Sequence, residues 1–366
     1  MSICPCTVAS ELPTGRRERG RPSWLALVRF ALPLLAAVGL VTALRDGDRA
    51  QALGLLSGNL PWLPLVLLPF VAGMACDACS MWLMLGSSGW RLRYRQVLRL
   101  RMAAEGALFT LPAGSIAAEA LKPVLLRRRH GVPLSVGAAA VLVNKSFIVL
   151  TNAVYLVLGL LAGGALLRGA LPAPWGGLLT GLTIFGTVGC LTMGSVLLLT
   201  VRRPQVLDRL IGRLPARWRT RLERRGPALA DTSPFFRDPR RVATCCSLAL
   251  LHWMIEAFET WAAAHLIGLH LSPGGALAFE SLLALIRSLA FFLPGAIGLQ
   301  DGGHVLLAHL AGASATVAGG MLVIVKRGKE LFWTVIAALL MPDGEAEHQP
   351  EVAATEDLPE VVARAG

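Results

Sequence analysis

The chain has 366 residues, 54% of them hydrophobic, with a mean hydropathy of +0.60 and a formal net charge of +12. Only 16% of residues are charged, which is too few for an ordinary soluble domain. The positive charge does not mark a nucleic-acid binder, because it is gathered into short segments between long apolar runs.

Residues 1–22 form a polar tail carrying Arg16, Arg17, Arg19 and Arg21. They read as a retained cytoplasmic start, since the following apolar run is long and has no clear A-x-A cleavage site. Apolar runs then cover 24–44, 61–85, 97–118, 132–165, 175–201, 242–268, 276–300 and 317–341. Most reach the ~20 residues needed to cross a hydrocarbon core of ~30 Å. The expected fold is therefore an all-α, polytopic helical membrane protein. From Pro342 onward the chain is acidic and proline-containing, so 342–366 is expected to be a disordered tail.

The basic segments orient these runs. Residues 91–101 hold five Arg, 122–129 hold Lys122 and Arg127 to Arg129, and 202–241 hold twelve Arg. The segments 164–175 and 268–275 hold only Arg168 between them. This positive-inside asymmetry places both termini and the 202–241 loop in the cytoplasm. The same basic rims would attract anionic lipid headgroups.

Run 97–118 then begins and ends beside cytoplasmic Arg clusters, so it cannot be a simple crossing. It reads as a re-entrant segment broken at Pro112-Ala-Gly114, where the chain can leave the helix. A matching break falls at Pro294-Gly295-Ala, with Gly298 just beyond. Such breaks aim free N–H groups and a partial positive charge inward, which suits a phosphate. The bland alternative is that Pro and Gly end helices while Glu119 and Asp301 cap the next ones.

The two breaks belong to a repeat at a fixed offset of 182 residues, about 61–165 against 242–341. Phe109, Leu111 and Pro112 recur as Phe291, Leu293 and Pro294. Charged and polar positions coincide too: Asp77 with Glu259, Glu119 with Asp301, Asn144 with Lys326, Lys145 with Arg327. Arg287 takes the place of Glu105. Because 61–85 runs inward and 242–268 outward, the repeat is expected to be inverted, as in transporter folds.

Charges inside apolar segments cost about 2.5–3.5 kcal/mol each on insertion scales. They commonly mark substrate or ion pathways, or else pair with one another. The candidates for substrate binding or coupling are Asp77, Glu105, Glu119, Lys145, Glu256, Glu259, Arg287, Asp301, Lys326 and Arg327. Together with Glu280 and Glu330 the acids nearly balance these bases, Lys122 and Lys329, so mutual ion pairing stands beside the functional reading. Glu256 and Glu259 lie three apart and can share one helix face. His252 and Glu256 lack the second His of H-E-x-x-H, and no metal or other cofactor is expected. Neither G-x-S-x-G nor a P-loop is present. Gly159-x-x-x-Gly163 and Gly177-x-x-x-Gly181 have the form of helix-contact motifs.

The stretch Glu119-Ala-Leu-Lys122-Pro-Val-Leu-Leu-Arg127-Arg-Arg-His-Gly131-Val-Pro, with Asn144-Lys145 beyond it, resembles the flippase-like membrane domain of lysylphosphatidylglycerol synthases. Leu293-Pro-Gly-Ala-Ile-Gly298-Leu-Gln-Asp301-Gly-Gly303, followed by Lys326-Arg327-Gly-Lys-Glu330-Leu, is most similar to the hopanoid-biosynthesis-associated branch. The resemblance assigns about 23–341 to that domain and implies a multi-pass protein of the bacterial inner membrane that handles lipids. The synthases carry a soluble aminoacyl-transfer domain after the membrane part, so a chain ending at residue 366 is not expected to aminoacylate lipids. Where the branch has Glu after Gln, this chain has Asp301.

The favoured expectation is translocation of a polar or isoprenoid-type lipid between leaflets. Glu119 and Asp301 would gate or exchange protons, and Lys145, Arg327 and Arg287 would attract the headgroup. The competing readings are a membrane-embedded lipid-modifying transferase, with Asp77, Glu256 and Glu259 as acid/base groups, and a scaffold for lipid-biosynthesis enzymes.

Overall fold

A computed structural model describes residues 50, 54, 57–110, 114–170, 173–202, 232–289, 296, 298–310 and 318–340. The tails 1–22 and 342–366, the run 24–44, most of the basic loop, and Pro112, Pro294 and Gly295 lie outside them. Among the described residues the regular structure is entirely helical. The longer helices are α1 (Pro64–Ser87), α2 (Tyr94–Thr110), α3 (Gly114–His130), α4 (Leu134–Ala170) and α5 (Ala173–Arg202). After the basic loop come the short α6 (Ser233–Phe236), then α7 (Pro239–Leu266), α8 (Pro273–Leu289), α9 (Leu299–Leu310) and α10 (Gly320–Leu339).

Local chemistry sets several of these ends. Asp238 caps α7 by accepting from the backbone N–H of Arg240 and Arg241, with Pro239 pre-shaped at the first helical position. Ser272 caps α8 by accepting from Gly275 N–H at 3.0 Å. Helix α3 stops at Gly131, whose φ of +68° costs a residue without Cβ little.

Four helices are long and apolar enough to cross a membrane: Pro64–Ser87, Leu134–Gly163, Gly176–Arg202 and Pro239–Leu266. The surface has the matching polarity. Leu161, Phe185 and Leu178 are exposed while Lys122, Glu259 and Glu280 are buried, the reverse of a water-soluble arrangement. The protein is an all-α polytopic membrane protein.

Helices α1 and α7 pack together antiparallel: Gly73 meets His252 and, seven residues on, Ser80 meets Cys245. They are the repeat-related pair of the 182-residue offset. The flanking helices exchange partners across this pair, α8 leaning on α4 and α2 on α10. One apolar core joins α1 to α4 with Val201, Phe235 and Cys245, and another joins α7 to α10 with Val66. Helix α5 rests mainly on α4 and leaves most of its apolar face open.

The hairpin expected at 97–118 is two helices packed on each other, and its second arm runs on past residue 118 to His130. The basic residues 122–130 are therefore the end of α3, and Lys122, counted with the basic cluster, is fully buried. A Lys beside two acids repays its burial by pairing, which a linear count of positive charges does not register.

Candidate functional site

The buried charges form two clusters, one per half. In the first, α1 supplies Asp77, α2 Arg101 and Glu105, α3 Glu119 and Lys122, and α4 Asn144 and Lys145. Arg101 bridges Asp77 and Glu105, and Asn144 donates to the other oxygen of Asp77. Lys122 Nζ lies 2.8 Å from Glu119 and 3.9 Å from Asp77. Lys145 Nζ closes the cluster at 3.5 Å from Glu119.

The second cluster draws on α7 to α10. Lys326 Nζ donates to Glu259 at 2.7 Å and to Thr260 Oγ1 at 2.8 Å, and lies 3.7 Å from Glu280. Lys329 reaches the same Glu259 oxygen at 2.7 Å and stands 5.0 Å from the Phe70 ring of α1. Arg287 holds Glu256 at 2.6 Å and Glu280 at 2.9 Å. Arg327 holds Asp301 at 2.8 Å and Glu330 at 2.5 Å. Asp301 also accepts from Gly298 N–H at 2.9 Å, the return bond of a helix N-terminus with Gly298 at the cap. So Asp301 caps a helix and pairs with a base at once.

The two clusters use the same registers. Asn144 bonds Asp77 as Lys326 bonds Glu259, and Lys145 faces Glu119 as Arg327 faces Asp301. Each of these links recurs at the offset of 182 residues. All ten charged candidates read from the sequence fall in one cluster or the other. Of the helix-break candidates, Gly114 opens α3 and Gly298 precedes α9 with a φ of +84°.

Accessibility divides the members. The Lys122, Asp77 and Glu259 side chains are 1–2% exposed and Arg327 3%, whereas Glu119 is 23%, Asp301 21% and Lys145 36% exposed. Glu256 and Arg287 form a second open edge at 26% and 30%. Charged groups at these edges can exchange partners with an incoming headgroup, and the inner ones cannot do so without leaving a buried charge unpaired. Arg327, expected as a headgroup ligand, is engaged on both sides by carboxylates.

Sequence reasoning missed Arg101, which it counted with the basic segment 91–101. The available signal was Glu105 one helical turn later, a spacing that pairs side chains on one face. Thr260, which bonds both Lys326 and Glu280, was also missed. Among the described residues Tyr155 Oη and His304 Nε2 are buried with no hydrogen-bond partner, although Nδ1 of His304 pairs with the Gln300 carbonyl at 2.8 Å. Among the described residues no group of three or more His, Cys, Asp or Glu side chains could hold a metal ion.

A helical membrane domain with paired charge clusters defines the class of protein. The chain matches the family model of the lysylphosphatidylglycerol synthase TM region over residues 20–336, and it belongs to that family. No curated protein and no solved structure matches it. Membership ties the chain to lipid handling in a membrane.

Proposed function

We propose that this protein translocates a polar or isoprenoid-type lipid between the leaflets of the bacterial inner membrane, in a pathway linked to hopanoid synthesis. In this reading the repeat is inverted, the α2–α3 and α8–α9 hairpins are re-entrant, and both termini are cytoplasmic. The observation that carries it is the repeated pair Glu119–Lys145 and Asp301–Arg327, in which both acids are partly exposed. Two like gates in two halves are what alternating exposure of one site requires.

An anionic headgroup would compete with Glu119 for Lys145, whose 3.5 Å contact is longer than Glu119–Lys122 or Asp301–Arg327 at 2.8 Å. The Glu119 carboxylate, still held by Lys122, would not be stranded. Anionic lipids at the Arg-rich rims and lipid-biosynthesis enzymes are the partners this role calls for.

The test uses full-length protein in phosphatidylcholine vesicles carrying trace fluorescent phosphatidylglycerol or a fluorescent polyprenyl phosphate. Chemical quenching of the outer leaflet should reach the inner pool faster than in empty vesicles, and Glu119→Gln and Asp301→Asn should slow it. Rates equal to empty vesicles with both probes would overturn the translocation reading. Full rates in both variants would remove the gating role.

A further inference from the structure

His252 lies at the seam between the two charge clusters. Its Nδ1 is 3.0 Å from the Gly73 carbonyl of α1, and its Nε2 is 3.6 Å from Glu256 one turn along α7. A carbonyl only accepts, so Nδ1 carries a hydrogen and Nε2 is left as the titrating nitrogen. That nitrogen faces a carboxylate. Glu256 in turn belongs to the partly exposed Glu256–Arg287 edge, which gives a proton a route from outside the buried network.

The charged and titratable groups around His252 come from several helices. Helix α1 carries Asp77 one turn beyond the Gly73 that His252 contacts, and α7 presents Glu256 and the Trp253 ring, 5.6 Å away. From α8, Arg287 acts on Glu256 and Glu280. The charges on α4 and α10 are engaged elsewhere, Lys145 with Glu119 and Lys326 and Lys329 with Glu259. Helix α6 meets α7 at its opposite end, beside Arg237 and Asp238.

We infer that His252 and Glu256 form a proton-binding site that couples the two halves, and that the ion driving lipid movement is H⁺. A proton arriving by the Glu256 edge binds His252 Nε2, giving an imidazolium that faces Glu256 while Nδ1–H stays on Gly73. Glu256 is then shared between His252 and Arg287. Release restores the neutral ring and leaves Glu256 to Arg287 alone. Because His252 contacts Glu256 of one cluster and Gly73, one turn from Asp77 of the other, the proton is placed between the two clusters. The coupling rests on the translocation reading, but proton occupancy is measurable without any lipid moving.

The experiment is nitrogen NMR of the ¹⁵N-histidine-labelled full chain in lipid nanodiscs. Only seven His contribute, and the His252 signal is assigned by its contact with the Trp253 ring and by its loss in His252→Gln. At pH 7 His252 should carry both ring protons, and in Glu256→Gln only one. In vesicles, a pH gradient should stimulate lipid movement severalfold in the wild type and not at all in His252→Gln. A single ring proton on His252 throughout pH 5–8 would overturn the proton site. Normal protonation with gradient-insensitive lipid movement would overturn the coupling, and normal protonation with no lipid movement would overturn the translocation reading instead.

Discussion

Lys122 and His304 hold the same register in the two halves, yet only Lys122 is a cation engaged with the local acids. In the second half that role has moved to Lys326, which stands in the register of Asn144 and bonds Glu259. His304 turns instead to the Gln300 carbonyl. The inner acid thus receives its ammonium from α3 in one half and from α10 in the other. What is kept is the compensation of a buried carboxylate, since leaving one unpaired costs several kcal/mol, while the helix that supplies the base is free to change.

This exchange should be transferable. Lys326→Asn leaves Glu259 with Lys329 alone and should destabilise the protein by about 3 kcal/mol, the low end for breaking a buried pair. Adding His304→Lys rebuilds the first half's arrangement in the second and should recover a good part of the loss. Denaturant unfolding in detergent of wild type, both singles and the double measures this as a double-mutant cycle. A double variant less stable than Lys326→Asn would show that the two registers are not interchangeable.

The two glycine motifs should behave differently. A Cβ at Gly159 would stand 2.5 Å from Ser281 Cβ and 3.3 Å from the Leu277 carbonyl, where α4 crosses α8. Gly159→Ala should therefore cost about 1–3 kcal/mol as the helices are pushed apart. A Cβ at Gly181 meets nothing within 4 Å among the described residues, so Gly181→Ala should be neutral or gain up to about 1 kcal/mol of helix propensity. Thermal melts of the two variants settle the contrast. Equal losses would mean that Gly181 also lies at a contact.

The sequence reveals the helices and the charged registers because both leave one-dimensional marks: apolar runs of spanning length, and acids and bases recurring at a constant offset. It does not reveal partners. Arg101 ends a basic run that reads as solvent-facing, but the fold turns it inward to Asp77 and Glu105. Lys122 belongs to a basic cluster by position and to the buried network by structure. Lys145 and Arg327 are equivalent by offset, yet tertiary packing leaves one open and encloses the other. Direction of a side chain around a helix, and what stands opposite it, are properties of the assembled bundle.

That inequality gives a third expectation. Lys145→Met removes an exposed base while Glu119 keeps Lys122, so stability should change by less than about 1 kcal/mol. Binding of an anionic lipid probe should weaken about tenfold, the loss of one charge-assisted contact. Arg327→Met strands Asp301 and Glu330 together and should lower stability by about 3–5 kcal/mol. Lipid-probe titration alongside thermal unfolding separates the two roles. A large stability loss in Lys145→Met with unchanged probe affinity would make it a structural base like Arg327.

Topology is the remaining expectation. Helices α1 and α7 are repeat-related and pack antiparallel, so any two positions 182 residues apart in these halves should face opposite sides of the membrane. The basic segments fix which side is which, since Lys and Arg are retained in the cytoplasm. In a version with all seven Cys replaced, single Cys at Ser88 and His130 should react only from the cytoplasmic side. Single Cys at His270 and Gly312 should react only from outside. His130 and Gly312 form the decisive pair, because they lie one offset apart in sequence, just after the repeat-related acids Glu119 and Asp301. Each hairpin returns to the side it left only if it is re-entrant. Labelling of both from one side would mean that one hairpin crosses the membrane, and the inverted arrangement would be rejected together with the two-gate mechanism built on it.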